Sequence, residues 1–315
     1  MGQYCLRRVA IIIPMMVVVS IIVFVLLRLL PGDVVDALLQ NNPSLTQDNR
    51  GVIEREYGLD KSLPAQYLDW AVGIVHGDFG ESFVSHDSVG GQMKRRSVVT
   101  LELAILALGF AWFIGVGLGI VSAVYPDSAV DHVARSVAVL GISLPSFWWA
   151  TIAVVYPSIW WHISPPTSEI SIAADPIGNL KQYLIPAVIL GSISAATIAR
   201  LTRSSLLEVL RSDYIRTARA IGLSERVLLV RHALPNALIT VVTVASVLAA
   251  SLIGGTVVIE SIYNLHGLGL YVFTAIGQRD YPVIQSTVFV LSAGVMAINL
   301  LADVTYVALD PRIRP

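Results

Sequence analysis

The sequence predicts an all-α polytopic membrane protein with six transmembrane helices. Of its 315 residues, 55% are hydrophobic and only 14% are charged, and the mean hydropathy is +0.71. Soluble domains carry roughly a quarter charged residues, so the shortage of charge indicates that lipid surrounds much of the chain. Several apolar runs are long enough to cross a bilayer at about 1.5 Å per helical residue.

The first apolar run covers residues 9–30 and follows Arg7 and Arg8. About 22 helical residues span about 33 Å, which is enough to cross a bilayer. A cleavable signal peptide is the alternative, but the run is long for one and lacks a small-residue cleavage site before Pro31. We therefore expect residues 1–30 to form an N-terminal cytoplasmic end and a retained first transmembrane helix.

A hydrophilic segment, residues 31–97, comes next, and we expect it to be an extracytoplasmic loop region. Its pattern favours short helices at residues 49–57 and 64–75. The acidic side chains and His76 in this segment show none of the spacings that are typical of metal ligands. A solvated face is the simpler interpretation, so no metal site is predicted.

The hydrophilic segment ends in a basic cluster, Lys94-Arg95-Arg96, on the side of the membrane where short loops usually lack basic residues. That rule is weak for loops longer than about 60 residues, so the cluster does not overturn the predicted topology. The shorter loops do obey it. Those assigned to the inside hold Arg200 and Arg203 among other arginines, whereas those assigned to the outside hold only Lys181 and Arg279.

Residues 98–309 are expected to form the transmembrane core with five further helices. The apolar runs that predict these helices are residues 98–124, 132–160, 183–199, 236–259 and 283–309. The first of them contains four glycines that favour close helix packing, because small residues let membrane helices approach each other: Gly109, Gly115, Gly117 and Gly119. Between the last two runs we expect a re-entrant hairpin with a short helix, and Glu260 at the outer rim.

One span is interrupted in the middle by Ser143, Pro145 and Ser146. Proline removes a backbone donor and kinks a helix, and broken helices recur at transport sites. The two serines are therefore candidates to line a polar translocation path together with Pro145. A packing kink, with the serines bonded back to their own helix, is an equally good interpretation.

Two further pairs of polar residues stand near the C-terminal end of the chain. Asn299 and Asp303 lie in the inner half of the last span and are candidates for the same path, with a tie to a neighbouring helix as the alternative for Asp303. Arg279 and Asp280 are candidates for an outer gate or for contact with a docking protein. An interfacial salt link is the more conservative interpretation of that pair.

A polar stretch, residues 212–235, separates two long apolar runs. Ser212 and Asp213 favour a helix start, Gly222 favours its end, and Ser224 favours the start of a second short helix. Five arginines make the stretch strongly basic: Arg211, Arg216, Arg219, Arg226 and Arg231. A capped, basic unit of this kind suits contact with a soluble partner, although on charge alone an ordinary cytoplasmic loop is the better interpretation.

The spacing within this stretch resembles the cytoplasmic motif of ABC-importer permeases, E-A-A-x-x-x-G followed by nine residues and I-x-L-P. Arg216-Thr217-Ala218 stand at the E-A-A positions, Gly222 at the glycine, and Leu234-Pro235 at the closing L-P. Arg216 replaces the acid and His232 replaces the isoleucine. The stretch and the phrase GISLPSFW at residues 141–148 resemble the dipeptide/oligopeptide/nickel subfamily.

The resemblance implies that residues 206–235 form a coupling loop that contacts an ATPase subunit. The residues expected to carry this contact are Asp213, Arg216, Thr217, Ala218, Arg219, Gly222, Leu234 and Pro235. It also implies the type I ABC importer transmembrane fold, with both termini cytoplasmic and residues 310–315 as a cytoplasmic tail. In this interpretation Arg279 and Asp280 face an extracytoplasmic solute-binding protein.

The resemblance further implies a bacterial plasma (inner) membrane protein that pairs with a second homologous permease subunit and two ABC ATPase subunits or domains. The expected solutes are di- or oligopeptides, with nickel, glutathione or opine-like solutes as alternatives. No cofactor is expected in this chain, because ATP and Mg would bind the partner ATPase subunits. No nucleic-acid partner is expected either.

An enzymatic function has no support in the sequence. It contains no phosphate-binding G-x-x-x-x-G-K-[ST], no H-E-x-x-H and no G-x-S-x-G. A self-sufficient secondary carrier is a remote alternative, because the internal repeats and mid-membrane charge pairs typical of carriers are missing. A channel is a third possibility, but no filter-like segment is present.

Overall fold

The computed structural model describes residues 2–29, 35, 50–166 and 168–309. The predicted tail at residues 310–315 lies outside the described residues. The helices in chain order are α1 (Gly2–Leu29), α2 (Arg50–Glu56), α3 (Leu63–Val75), α4 (Val89–Val124), α5 (Ala129–Ser143), α6 (Ser146–Trp161), α7 (Pro176–Leu210), α8 (Asp213–Ala220), α9 (Glu225–Val227), α10 (Leu234–Tyr263), α11 (Leu268–Gln278) and α12 (Tyr281–Leu309).

Five of these helical segments are long and apolar enough to cross a membrane: α1, α4, α7, α10 with the turns that precede it, and α12. The pair α5 and α6 passes the same test jointly, but the two helices are bent by 92° at the break between them. Counting this pair as one broken span gives the six predicted spans. The short helices expected around residues 49–57 and 64–75 are confirmed as α2 and α3.

Two helices are longer than their apolar runs. Helix α4 begins at Val89 and not at residue 98, because the Ser88 side chain accepts a hydrogen bond from the Gly91 N–H and caps the helix there. Helix α7 begins at Pro176, where Asp175 caps it by accepting from the Gly178 N–H. Hydropathy marks the part of a helix that meets lipid, so it does not find these polar first turns.

Helices α4 and α7 form the centre of the bundle. A Cβ atom on Gly115 would lie 2.7 Å from the Ala195 carbonyl oxygen, and one on Gly119 would collide with Thr202. Such close backbone approach is how membrane helices gain van der Waals contact in the absence of a hydrophobic drive. The packing role predicted for these two glycines is confirmed, whereas Gly109 and Gly117 face open space.

Buried apolar side chains form clusters along the length of the bundle. One joins α1, α11 and the start of α12 to the turn before α4, and another joins α4, α7 and α10 near their middle. A further cluster lies at the end where α4 and α7 finish. That end, which we call the coupling end, carries the polar stretch at residues 212–235. The opposite end carries α2, α3 and α11.

Candidate functional site

The coupling loop folds as a short helix, a tight turn and a second helical segment. Gly222 ends α8 with φ of +90°, a conformation that side chains disfavour. The Gly222 N–H donates to the Arg219 carbonyl at 3.1 Å, and the Leu223 N–H donates to the Ala218 carbonyl at 3.3 Å. This pair of bonds is a Schellman motif, so the predicted helix stop at Gly222 is confirmed.

The two serines predicted to cap the helices do so only through their position. Ser212 has the extended backbone of an N-cap, but its hydroxyl donates to the Val209 carbonyl at 2.5 Å and makes no bond to the first turn of α8. Ser224 likewise makes no side-chain cap bond. The helix starts predicted at Ser212 and Ser224 are therefore confirmed, although neither start carries a side-chain cap bond, and the Ser212 hydroxyl bonds to the preceding turn instead.

Ile215 anchors the loop to the bundle. Its side chain is fully buried and packs in one cluster with Ala123 of α4, Leu206 of α7 and Ala237 of α10. The helix α8 is therefore fixed against three membrane helices through a single apolar residue. The sequence reasoning missed Ile215, although the one apolar position between charged neighbours in DYIRTARA was a visible signal.

A bidentate ion pair braces the loop across the turn at Gly222. The Arg219 Nε and Nη2 donate to the two carboxylate oxygens of Glu225 at 2.5 and 3.0 Å. This contact raises the pKa of Arg219 above its usual value, so the guanidinium stays charged. The Asn236 amide also donates to the Tyr214 hydroxyl at 3.1 Å and ties α8 to the start of α10.

The remaining predicted coupling residues surround this anchored core. Asp213 and Arg216 are exposed and form a loose pair at 3.4 Å, and the exposed Thr217 hydroxyl donates to the Asp213 carbonyl. Ala218 and Leu234 are half-buried, and Pro235 is exposed in the first turn of α10. The structure thus brings all eight predicted residues into one loop at the coupling end.

Apolar side chains stand exposed among the charges of the coupling loop. Ile221 is 75% exposed and Val230 is 57% exposed, on either side of the turn and the basic residues Arg226 and Arg231. Single exposed apolar side chains are common on protein surfaces, so these two add contact area to the basic loop and do not identify a partner by themselves. The loop therefore presents a fixed, mixed surface that a soluble partner can bind.

A buried charge cluster next to the loop was not predicted. Asp131, at the start of α5, is fully buried and accepts hydrogen bonds from Arg203 at 2.7 and 2.9 Å and from the Asp127 N–H at 3.0 Å. Ser122 of α4 also donates to it, and Arg135 lies 3.4 Å away. Arg203 was expected only to mark the inner side of the membrane, because a partner 72 positions away leaves no signal in the sequence.

Glu260, expected at the outer rim, is fully buried at the opposite end of the bundle. Its carboxylate accepts from the Thr100 hydroxyl at 2.8 Å and from the Leu270 N–H at 3.0 Å, and the Thr100 hydroxyl in turn accepts from the Leu268 N–H at 2.8 Å. The position at this end agrees with the expected one, but the burial was not predicted: the carboxylate accepts from a free N–H group at the start of α11.

The candidates for an outer gate differ in exposure. Asp280 is 2% exposed and accepts from the Ser82 hydroxyl at 2.5 Å and the Phe83 N–H at 3.2 Å. Arg279 is half-buried in the left-handed conformation that ends α11. Asp280 thus ties the turn before α4 to the junction of α11 and α12, and the role of the pair in a gate stays a prediction.

The candidates for a translocation path lie on two groups of helices. Ser143 is exposed beside the break between α5 and α6, and its hydroxyl donates to the Val139 carbonyl at 2.8 Å, as the packing interpretation expects. Ser146 begins α6 directly after Pro145. On α12, Asn299 is exposed and Asp303 forms an ion pair with Arg8 of α1 at 3.1 Å.

These two groups are not packed against each other as neighbours. Helix α5 packs mainly on α7 and α4, and α6 on α10 and α7, whereas α12 packs mainly on α10, α1 and α11. A path lined by both groups stays a prediction. Among the described residues no group of three or more His, Cys, Asp or Glu side chains is placed to hold a metal ion.

The sequence matches two family models. The model for "Binding-protein-dependent transport system inner membrane component" matches residues 115–315, and the model for the N-terminal part of such membrane components matches residues 1–104. The dipeptide transport system permease protein DppB of Escherichia coli K12 is 35% identical, over 100% of this chain and 99% of its own length. A relative in Brucella abortus, provisionally named a peptide transport system permease, is 40% identical over 100% of this chain and 99% of its own length.

The fold is also similar to solved ABC transporter structures. The inward-facing MetNI methionine ABC transporter aligns with a TM-score of 0.54 and 20% identity, over 69% of this chain and 96% of that one. An amino acid ABC transporter aligns with a TM-score of 0.54 and 12% identity, over 69% of this chain and 93% of that one. The chain belongs to the family of binding-protein-dependent transport system inner membrane components, and it is a multi-pass inner-membrane permease subunit of an ABC importer.

Proposed function

We propose that this permease subunit forms, with a second homologous permease, the translocation path for di- or oligopeptides delivered by an extracytoplasmic solute-binding protein. Two separate ATPase subunits or domains bind ATP and Mg and drive the cycle. The relatives named for dipeptide and peptide transport support this solute class, since the alignments cover the whole chain. The wider subfamily leaves nickel, glutathione and opine-like solutes as alternatives to peptides.

The observation that carries the proposal is the fixed coupling loop. Helix α8 is anchored by Ile215 and braced by the pair of Arg219 and Glu225, so a force on it moves the whole loop as one body. Because Ile215 belongs to one buried cluster with residues of α4, α7 and α10, a displacement of α8 is passed on to three spans. The ATPase pair drives the cycle only if it binds this loop differently in its two states.

This function places the coupling end in the cytoplasm and α2, α3 and α11 on the extracytoplasmic face. Both termini are then cytoplasmic, because α1 ends and α12 begins at the end opposite the coupling loop, and each of these helices crosses the membrane once. The arginines at the coupling end support this orientation, because short cytoplasmic segments carry the excess of basic residues. Arg135, Arg200 and Arg203 all lie at that end.

The test is uptake by the transporter reconstituted with its partner subunits. The change Gly222→Val forces a β-branched residue into φ of +90°, and it should abolish ATP-driven peptide uptake while membrane insertion remains normal. Gly77→Val is the matched control, because Gly77 also has a positive φ, of +80°, and open space around it, but it lies at the opposite end.

Two outcomes would contradict the proposal. Normal uptake by the Gly222→Val variant would mean that the loop does not transmit the ATPase cycle. Gradient-driven uptake by this chain alone in liposomes, without any ATPase, would support a secondary carrier. Uptake of nickel in place of peptides by the intact transporter would correct the solute class and leave the coupling mechanism unchanged.

A further inference from the structure

A polar cavity lies at the end of the bundle opposite the coupling loop. It has a volume of about 390 Å³ and lies between the first turns of α4, the turn at residues 82–87 and helix α11. Cavities of roughly 300–1,000 Å³ are typical of sites for small ligands. None of the residues proposed for coupling or for the translocation path lines it, whereas Asp280, a candidate for the outer gate, does.

Two polar groups beside this cavity are buried without a hydrogen-bond partner in the described ranges of the chain. They are the Nε of Arg96 and the hydroxyl of Tyr271, and both residues line the cavity. The Arg96 guanidinium lies over the Tyr271 ring at 4.5 Å from its centroid. These two atoms are themselves out of reach of solvent, so a molecule in the cavity can meet only the other guanidinium nitrogens of Arg96. A guanidinium that is partly withdrawn from water without a counterion is costly.

The carboxylates of the same cavity do not supply that counterion. Asp280 accepts from Ser82 and Phe83, and Asp87 accepts from the Gln92 amide at 2.9 Å. Neither forms an ion pair with Arg96 within the described residues. The cavity therefore combines an unpaired cation with nearby carboxylates, a combination that suits a small zwitterion.

Arg96 differs from its two basic neighbours in the sequence in its burial. The cluster Lys94-Arg95-Arg96 lies at the end where the positive-inside rule disfavours basic residues. Lys94 and Arg95 are exposed to solvent, whereas Arg96 is half-buried and lines the cavity. Of the three, Arg96 is therefore the one whose guanidinium is partly withdrawn from solvent and lines the cavity.

We propose that this cavity is an outer subsite for the carboxylate of the transported solute, with the Arg96 guanidinium, which lies over the Tyr271 ring, as the cationic partner. The subsite rests on the proposed function, because it assumes that the solute is a peptide with a free carboxylate. A guanidinium presents several donors in one plane, which matches the two oxygens of a carboxylate. A cation and two carboxylates in one cavity favour a zwitterionic solute over a single side chain of the docking protein.

The first experiment measures the charge selectivity of the cavity in the assembled transporter. Thr274 lines the cavity and is exposed, so Thr274→Cys in a Cys5→Ser background places a thiol there. Two labelling rates of this thiol are measured at low ionic strength, one with an anionic and one with a cationic methanethiosulfonate reagent. The readout is the ratio of the anionic to the cationic rate. This ratio should fall severalfold with Arg96→Gln and should stay unchanged with Arg95→Gln, the matched control on the same helix.

The second experiment asks whether the solute reaches the site. A dipeptide with a free carboxylate should slow labelling of the introduced thiol by a neutral reagent, its C-terminal amide should not, and Arg96→Gln should remove the difference. Arg96→Lys should keep part of the protection, which separates loss of the charge from misfolding. Co-purification of the partner subunits with each variant serves as the folding control.

Several outcomes would overturn the subsite. They are a thiol that does not react at all, a labelling ratio that Arg96→Gln leaves unchanged, and equal protection by the free acid and the amide. Protection by the solute-binding protein without peptide would identify the cavity as a docking contact instead. None of these outcomes affects ATP-driven uptake by the parent transporter. If the parent transporter itself showed no such uptake, the proposed function would be overturned.

Discussion

Arg203 of α7 and Asp131 of α5 form a bidentate ion pair, with Nε–Oδ1 and Nη2–Oδ2 distances of 2.9 and 2.7 Å. The carboxylate is fully buried and the arginine side chain is 22% exposed. Ser122 of α4 donates to the same carboxylate, so a single anion joins three helices beside the coupling loop. Removal of either partner leaves a buried charge without its main counterion.

The change Arg203→Met should therefore destabilise the chain by about 3 kcal/mol, the lower end of the range for breaking buried pairs, because Ser122 and Arg135 still contact Asp131. Thermal unfolding in mild detergent, followed by tryptophan fluorescence, measures the loss. Arg200→Met is the control, since Arg200 is exposed on the same helix. Equal midpoints for the two variants would contradict a structural role for the pair.

The double variant Asp131→Asn/Arg203→Met separates a missing interaction from a stranded charge. Because it removes both charges, it should recover part of the stability that Arg203→Met alone loses. The same unfolding measurement checks this. A double variant whose loss of stability relative to the parent equals the sum of the two single losses would mean that the two residues act independently.

The sequence predicted the number and order of the spans well, because burial in lipid leaves a hydropathy signal in every helix that crosses the membrane. It predicted the break between α5 and α6 for a local reason, the missing N–H of Pro145. The stop at Gly222 was equally local. These features depend on residues within one or two turns, which is why the sequence alone contains them.

Features that depend on contact between distant segments were missed. Glu260 was placed at the rim from its position at a helix end, whereas its burial depends on Thr100 and on the start of α11. The partner of Asp131 is as remote in sequence. At the coupling loop the exposed residues were predicted from spacing, but the anchoring role of Ile215 requires knowledge of the cluster that it joins.

Ile215 gives a prediction about coupling itself. The change Ile215→Ala removes the apolar anchor of α8 and should cost about 2–5 kcal/mol locally, since Leu- and Ile-to-Ala changes in cores fall in this range. The loop should then move without carrying α4, α7 and α10 with it. We expect ATP hydrolysis by the assembled transporter to continue while the amount of peptide imported per ATP falls severalfold.

The control for this change is Ile221→Ala, because Ile221 is 75% exposed and packs on no membrane helix cluster. If Ile221 contacts the ATPase, its loss weakens assembly and lowers hydrolysis and import together. Parallel measurement of ATPase activity and uptake distinguishes the two effects. A fixed import-to-hydrolysis ratio in Ile215→Ala would show that the anchor does not carry the coupling.

The pair of Arg219 and Glu225 can be tested by exchange of its charges. Arg219→Glu places two carboxylates across the turn at Gly222 and should reduce uptake severalfold, because like charges repel where the bidentate pair held the loop together. Arg219→Glu/Glu225→Arg restores opposite charges in reversed order and should recover most of the uptake. Raised ionic strength should lessen the defect of the single variant, since both residues are exposed and salt screens them.

The exchange also separates bracing from direct contact with the ATPase. If Arg219 binds a carboxylate of the ATPase, the reversed pair still lacks the arginine at that position, and uptake stays low. If Arg219 only braces the loop, the reversed pair restores uptake. Uptake that is unaffected in Arg219→Glu would contradict both roles.

Two glycines on α4 provide a matched test of helix packing. The change Gly115→Ala places a Cβ atom 2.7 Å from the Ala195 carbonyl oxygen of α7, so one of the two backbones must shift. Overpacking of this kind typically costs about 1–3 kcal/mol. Gly117→Ala meets nothing within 4 Å and should be neutral or slightly stabilising, because alanine favours the helix.

The difference between these two variants isolates contact with α7 from helix propensity, since both changes add the same methyl group to the same helix two positions apart. We expect the midpoint of thermal unfolding to fall for Gly115→Ala and to stay constant or rise for Gly117→Ala. If both variants unfold at the same temperature, α4 and α7 do not approach as closely as the position of Gly115 requires. A fall for Gly117→Ala alone would instead place that face of α4 against another chain, because the described residues of this one leave it open.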